Sequence, residues 1–94
     1  MNTNMNQVEL VLPQDIKEDL DFRLSNQNLG ECMDIEVIIE KIENELYTGQ
    51  LLEEFMRETV FHTDLVYAYL NPVTRQCFKK SNILYKKNSN KEMK

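Results

Sequence analysis

Residues 34–46 read DIEVIIEKIENEL and carry the clearest periodicity in the chain. Five apolar residues of this run fall on one face of an α-helix; they are Ile35, Ile38, Ile39, Ile42 and Leu46. Asp34 stands just before them, where a carboxylate can accept hydrogen bonds from the free backbone N–H groups of a helix N-terminus. The run predicts an amphipathic helix with Asp34 as its N-cap, and Gly49 is expected to end it.

A second helix is predicted over residues 15–25. Its apolar stripe repeats every four residues as Ile16, Leu20 and Leu24. Asp15 is placed to cap this helix, with Glu18 three positions further on, as in a capping box. Gly30 is expected to supply a positive φ angle in the turn that follows. Before the helix, Val8, Leu10 and Leu12 alternate with other residues up to Pro13, which predicts a short strand or an extended arm.

Helical spacing continues after residue 50, in Leu51, Leu52, Phe55, Met56 and Val60. We predict two helices or one kinked helix over residues 50–70, with a restart at Thr63 or Asp64. The alternative is strand, because residues 59–70 are rich in β-branched and aromatic side chains and Asn71-Pro72 could turn a hairpin. Helix is preferred, since Asn71-Pro72 also matches the start of a helix. That last helix is expected to continue through Tyr85.

The fold class predicted is mainly α, a small helical domain with a short N-terminal extended segment. The chain has 94 residues, 41% of them hydrophobic, which allows one domain with a thin core. A homodimer is expected for the same reason. The domain spans residues 8–85, between a flexible N-terminus at 1–7 and a basic flexible tail at 86–94. The predicted core is Ile16, Leu20, Leu24, Ile35, Ile38, Ile39, Ile42, Leu46, Leu52, Phe55, Met56, Val60 and Leu70.

The cysteines and the N-terminus indicate a cytoplasmic protein. Cys32 and Cys77 belong to no CxxC spacing, and two isolated cysteines are expected to be unpaired thiols in a reducing compartment. Residues 1–7 lack the features of a signal peptide. No apolar run is long enough to span a bilayer.

No motif for dinucleotide, phosphate, acyl or zinc chemistry occurs in the sequence. His62 is the only imidazole, and we expect it to have a structural role or to be simply exposed. Cys32, Asp34, His62 and Cys77 could surround zinc only if folding gathered them, because they lack the local pairing typical of zinc ligands. An enzyme, a metal site and a cofactor are therefore not expected.

Charge divides the chain into two unlike halves. Residues 1–50 contain eleven acidic and three basic side chains, a net of −8, whereas residues 51–94 contain five acidic and eight basic ones, a net of +3. Glu36, Glu40 and Glu43 share one face of the predicted helix. This acidic face is a candidate docking surface for a protein with a basic surface. The alternatives are an ordinary solvated face and a mimic of nucleic-acid phosphates.

Two further sets of residues are candidates for binding. The aromatic residues of an apolar segment could recruit a protein partner or simply fill the core; they are Phe55, Phe61, Tyr67 and Tyr69. The basic residues near the C-terminus could contact nucleic acid or an anionic membrane; they are Arg75, Lys79, Lys80, Lys86 and Lys87, interleaved with Phe78 and Tyr85.

Residues 8–47 resemble the ribbon-helix-helix family of dimeric DNA-binding repressors and antitoxins. The resemblance rests on the alternating segment before Pro13, the two helices and the turn at Gly30. It implies that two such strands pair across a dimer axis and that Gln7, Glu9 and Val11 enter the major groove. Because Glu9 and Val11 are poor readers of bases and this half is acidic, DNA binding is the second hypothesis. The first is a small acidic, non-enzymatic regulator, an inhibitor or an adaptor, that binds another protein.

Overall fold

The structure, a computed structural model, describes residues 10–48 and 50–86. It confirms a mainly helical fold. In chain order the elements are β1 (Leu10–Val11), α1 (Gln14–Asn26), α2 (Ile35–Leu46), α3 (Gln50–Glu58), α4 (Val60–Leu70), α5 (Pro72–Arg75) and β2 (Phe78–Lys79). The predicted N-terminal segment 1–7, the predicted helix stop at Gly49 and residues 87–94 of the predicted tail lie outside the described residues.

Helix α2 forms where the periodicity predicts it. The Asp34 side chain accepts hydrogen bonds from the backbone N–H groups of Glu36 at 3.0 Å and Val37 at 3.4 Å, which confirms the predicted N-cap. Ile38, Ile42 and Leu46 are fully buried. Because β-branched residues are weak helix formers on their own, this packing stabilises α2 more than local propensity does.

Helix α1 is found close to its predicted bounds, but both of its predicted end signals are wrong. The N-cap is Pro13, which offers no side-chain hydrogen bond, and not Asp15. At the other end Asn28 takes the positive φ of 58°, and Gly30 does not. The N–H of Leu29 donates to the carbonyl of Leu24 and that of Asn28 to Ser25, which is the Schellman pattern of a helix C-terminus.

Residues 50–70 form two helices, which excludes the strand alternative for residues 60–70. The second helix begins at Val60, with Thr59 as its N-cap, and not at Thr63 or Asp64 as predicted. Thr59 is extended, and its hydroxyl accepts a hydrogen bond from the N–H of His62 at 3.1 Å. The Thr63 hydroxyl then donates to the Met56 carbonyl at the end of α3. These contacts lock α3 and α4 into a tight hairpin.

The last predicted helix starts as expected but stops early. Asn71 caps it and Pro72 opens it, yet α5 ends at Arg75 and does not reach Tyr85. The chain instead becomes extended, and β2 pairs in parallel with β1 through Leu10–Phe78 and Val11–Lys79. We call residues 78–86 the C-terminal strap. The strap runs beside the start of the described chain, from the pairing of Phe78 with Leu10 to the hydrogen bond between Tyr85 and Asp15.

The strap is anchored by two aromatic rings. Phe78 packs edge-on against Tyr69 of α4, and Tyr85 packs edge-on against Phe55 of α3, each with 5.2 Å between ring centroids. The extended backbone therefore brings to the core two rings that the predicted helix would have placed on one short stripe.

The core joins α1, α2, α3 and α4. Its buried members are Leu12, Ile16, Leu20, Leu24, Leu29, Ile38, Ile42, Leu46, Leu52, Phe55, Met56, Leu65, Val66, Tyr69 and Leu70. Ile35 and Ile39 are only partly buried. The prediction of Val60 as a core residue is wrong, because the cap at Thr59 places Val60 on the outward face of α4, where it is 76% exposed.

Candidate partner-binding surface

Helix α4 is apolar on nearly all sides. Leu65, Val66, Tyr69 and Leu70 face the core, yet the opposite side carries Val60 and Phe61, which are 76% and 56% exposed. The outward side also holds exposed Asp64 and half-buried Tyr67 and Ala68. A helix that is hydrophobic all round is normally buried. The outward face of α4 thus has the composition of a contact surface.

The outward face of α2 is acidic, as predicted. Glu36, Glu40 and Glu43 are all exposed, and at positions i, i+4 and i+7 their carboxylates follow one another along the helix. Like charges at this spacing destabilise a helix by a few tenths of a kcal/mol each. The row of three glutamates therefore does not stabilise α2.

These carboxylates also differ from most others in forming no hydrogen bond or ion pair within residues 10–48 and 50–86. Fourteen acidic side chains lie in the described part of the chain. Nine accept a hydrogen bond or form an ion pair there; these are Asp15, Glu18, Asp19, Asp21, Asp34, Glu45, Glu53, Glu54 and Glu58. The five without such a contact among these residues are Glu31, Glu36, Glu40, Glu43 and Asp64. Four of the five lie on the outward sides of α2 and α4.

The two outward sides meet at a pair of tyrosines. Tyr67 in α4 lies near Tyr47, which follows the last residue of α2, and near Glu43. Burial of the Tyr67 side chain, together with the neighbouring Tyr47 and Glu43, raises the pKa of Tyr67. Since α2 also contacts α4, the acidic row of α2 and the outward side chains of α4 lie on neighbouring helices. We call these side chains together the α2–α4 face and define it by Glu36, Glu40, Glu43, Val60, Phe61 and Tyr67.

The aromatic residues predicted from the sequence separate into two groups. Phe61 and Tyr67 belong to the α2–α4 face, whereas Phe55 and Tyr69 are buried in the core. The Tyr69 hydroxyl donates to Asp21 of α1 at 2.6 Å, and this hydrogen bond together with burial raises the pKa of Tyr69. Sequence reasoning missed the exposure of Val60. Recognising Thr59 as an N-cap would have revealed it.

The basic residues near the C-terminus are largely engaged within the chain. Arg75 donates to the carbonyls of Tyr69 at 2.8 Å and Leu70 at 3.0 Å, at the end of α4. The ammonium group of Lys86 lies 2.8 Å from the Glu54 carboxylate. Lys79 also has a contact within the chain, Lys80 is exposed, and Lys87 lies outside the described residues. Arg75 and Lys86 therefore serve the fold directly.

The strand implied by the ribbon-helix-helix resemblance is only partly described. Gln7 and Glu9 lie outside the described residues, and Val11 is half-buried in β1. The resemblance implies pairing of this strand with a second copy of the chain. In the structure β1 pairs with β2 of its own chain.

Of the residues considered for chemistry, Cys32 and Asp34 are in contact, with the Cys32 sulfur 3.8 Å from the Asp34 carbonyl oxygen. The His62 ring stacks on Phe55 with centroids 4.0 Å apart, and its Nδ1–H donates to the Phe55 carbonyl at 2.9 Å, which is a structural role. Cys32 and Cys77 are free thiols. Among residues 10–48 and 50–86, no cluster of three or more histidine, cysteine or acidic side chains is arranged to hold a metal ion.

An open cleft of about 480 Å³ lies between α1 and α5, with Asp21, Asn28, Glu31 and Arg75 in its wall. The Arg75 guanidinium there is already bonded to backbone carbonyls, so the cleft lacks a free cation for an anionic ligand. Within the described part of the chain, no helix has both the length and the apolar composition of a membrane span.

Comparisons with protein-family models, with curated proteins and with solved structures gave no match to this chain.

Proposed function

We propose that this chain is a non-enzymatic regulatory protein, an inhibitor or an adaptor, that acts by binding another protein through the α2–α4 face. The observation that carries the proposal is the outward apolar side of α4 next to unpaired carboxylates. Buried aromatic side chains dominate the energy of many protein contacts, and complementary charges around them speed association. The α2–α4 face offers both features on two neighbouring helices.

The homodimer predicted from the sequence would not form through the α2–α4 face. A two-fold contact over the α2–α4 face would bring Glu36, Glu40, Glu43 and Asp64 of one copy towards the same residues of the other. Because like charges oppose such pairing, a homodimer would use a different surface. Sedimentation equilibrium of the wild type and of Phe61→Ser tests this, since a dimer built on another surface is unaffected by the substitution.

The experiment that tests the proposal is affinity capture from the native lysate with three forms of the full chain. They are the wild type, Phe61→Ser and the control Phe22→Ser. Phe22 is a fair control because it is 63% exposed and lies on α1 rather than on the α2–α4 face. We expect mass spectrometry to find a protein that the wild type and Phe22→Ser retain and that Phe61→Ser loses.

The affinity of the purified partner then gives the size of the effect. Truncating a central aromatic anchor costs about 2 kcal/mol, which is roughly 30-fold in the dissociation constant. Both variants alter exposed side chains, so circular dichroism should show the wild-type fold in each. Equal capture by Phe61→Ser and Phe22→Ser would contradict the proposal.

A further inference from the structure

We propose that the partner element bound by the α2–α4 face is a basic amphipathic α-helix of about three turns. This inference rests on the proposed function and adds the shape and charge of the partner. Three properties of the face lead to it: its area, its backbone and its unpaired charges.

The α2–α4 face is small. Helices of 12 and 11 residues are about 18 Å and 16 Å long, and two neighbouring helices are about 20 Å across, which gives roughly 350 Å² of flat area. A helix of about three turns is also about 16 Å long. One such helix lying along α4 therefore matches the length of the face.

The backbone of the face favours a helical partner over an extended one. A peptide strand binds by adding to a sheet edge with unpaired N–H and C=O groups. Here the main-chain groups of α2 and α4 are used inside the helices, and only side chains are presented. The side chains of Val60, Asp64 and Tyr67 form a ridge at positions i, i+4 and i+7. Such a ridge fits between the side-chain rows of another helix.

The charges of the face select a basic partner. Glu36, Glu40 and Glu43 are separated by about 6.0 and 4.5 Å along the axis of α2, so lysine or arginine at the same spacing on a neighbouring helix can approach each of them. Asp64 lies within the apolar side of α4 and adds a fourth unpaired carboxylate. A second copy of the face and a nucleic acid would both bring negative charge to these four groups.

The test uses the full chain, labelled with ¹⁵N, and three synthetic 14-residue peptides. The first is an amphipathic helix with leucine on one face and lysine along its flank. The second has glutamate in place of every lysine. The third has the composition of the first in an order that breaks the helical pattern. Amide shifts measured by NMR report both the affinity and the surface that each peptide contacts.

We expect only the lysine helix to bind, with shifts centred on α2 and α4 and with an affinity that falls as salt rises. Glu40→Lys should weaken its binding about threefold and the triple reversal Glu36→Lys, Glu40→Lys, Glu43→Lys at least tenfold. Glu31→Lys is the matched control, because Glu31 is also exposed and unpaired but lies outside the face. Its effect should stay below the error of the measurement.

Several results would overturn the inference. They are equal binding of the glutamate helix, equal binding of the disordered lysine peptide, shifts located elsewhere, an equal effect of Glu31→Lys and Glu40→Lys, or no binding of the lysine helix. If Phe61→Ser still abolishes capture of the natural partner, the proposed function stands and only the helical occupant is wrong. If Phe61→Ser leaves that capture unchanged, the proposed function itself fails.

Discussion

Asp15 and Tyr85 are 70 residues apart in the chain, yet Oδ1 of Asp15 accepts a hydrogen bond from the backbone N–H of Tyr85 at 2.9 Å. The other carboxylate oxygen accepts from the N–H of Lys86 at 3.0 Å. The residue predicted to cap α1 thus holds the end of the C-terminal strap. Tyr85 completes the attachment by donating its hydroxyl to Glu58 at the end of α3.

Asp15→Ala should destabilise the protein by about 2 kcal/mol. It removes two charge-assisted hydrogen bonds, and bonds to charged groups contribute about 1.5–3 kcal/mol each when well formed; partial exposure of Asp15 reduces the sum. Urea unfolding followed by circular dichroism measures the change. Glu18→Ala is the control, since Glu18 is exposed and contacts Gln14. Equal effects of the two substitutions would mean that Asp15 does not anchor the strap.

Asp34→Ala should lower the free energy of unfolding by about 1 kcal/mol, because it removes the N-cap of α2. Asp34→Ser keeps a side-chain acceptor at the same place and should recover most of the loss. Thermal unfolding of the three proteins under one buffer condition tests the order of their stabilities. An unstable Asp34→Ser protein would show that the cap is not the cause.

Val60→Ser and Leu70→Ala should have very different effects on the free energy of unfolding, although both residues lie on α4. Leu70 is fully buried, and shortening it leaves a cavity at a cost of about 2–5 kcal/mol. Val60 is exposed, so its replacement should change the free energy of unfolding by less than about 0.5 kcal/mol. Urea unfolding compares them. A large decrease in the free energy of unfolding of Val60→Ser would mean that Val60 is packed in the core.

Stability should fall as the pH rises above 10. Burial and the hydrogen bond to Glu58 raise the pKa of Tyr85 to about 12, while an unfolded tyrosine titrates near pH 10. The folded chain therefore holds the phenolic proton more tightly, and this stabilisation is complete below about pH 10 and is lost as the pH approaches 12. Tyr85→Phe should make the alkaline fall in stability less steep. An unchanged slope would place the phenolic group of Tyr85 in solvent.

Duplex DNA should not bind through the N-terminal segment. The half of the chain that contains Gln7 and Glu9 has a net charge of −8, and neutralisation of phosphates supplies most of the affinity of DNA-binding proteins. Mobility shifts over a salt series test this. The ribbon-helix-helix hypothesis gains support if binding is steeply salt-dependent and Gln7→Ala with Glu9→Ala abolishes it. Those substitutions spare Leu12, which is buried in the core.

Features that depend on residues close in sequence could be predicted, whereas features that depend on contacts between residues far apart in the chain could not. The acceptor at Asp34 and the row of isoleucines after it are close in sequence, so α2 and its acidic face could be inferred directly. The end of α1 depends on Asn28 and Leu29, where glycine was the more familiar signal. The strap depends on contacts such as Asp15 with Tyr85, which no periodicity reveals.

The candidate site was predictable on one side only. Glu36, Glu40 and Glu43 follow from helical spacing, but the apolar side depends on which residues of α4 meet the core. That choice is fixed by the hairpin between α3 and α4, through the cap at Thr59 and the bond from Thr63 to Met56. Val60, which was expected in the core, is exposed for this reason, whereas Phe55 is buried in agreement with its predicted place in the core.

The parallel pairing of β1 with β2 also affects how the protein is made. Leu10 and Val11 leave the ribosome 68 residues before Phe78 and Lys79, so until then the nascent polypeptide has its helices without that pairing. Closing so long a loop is entropically costly, and contacts of this separation slow folding. The pairing of β2 with β1 therefore forms only after the helices between them have been made, and a chain cut short before residue 78 would retain the α2–α4 face but lose the closure around α1.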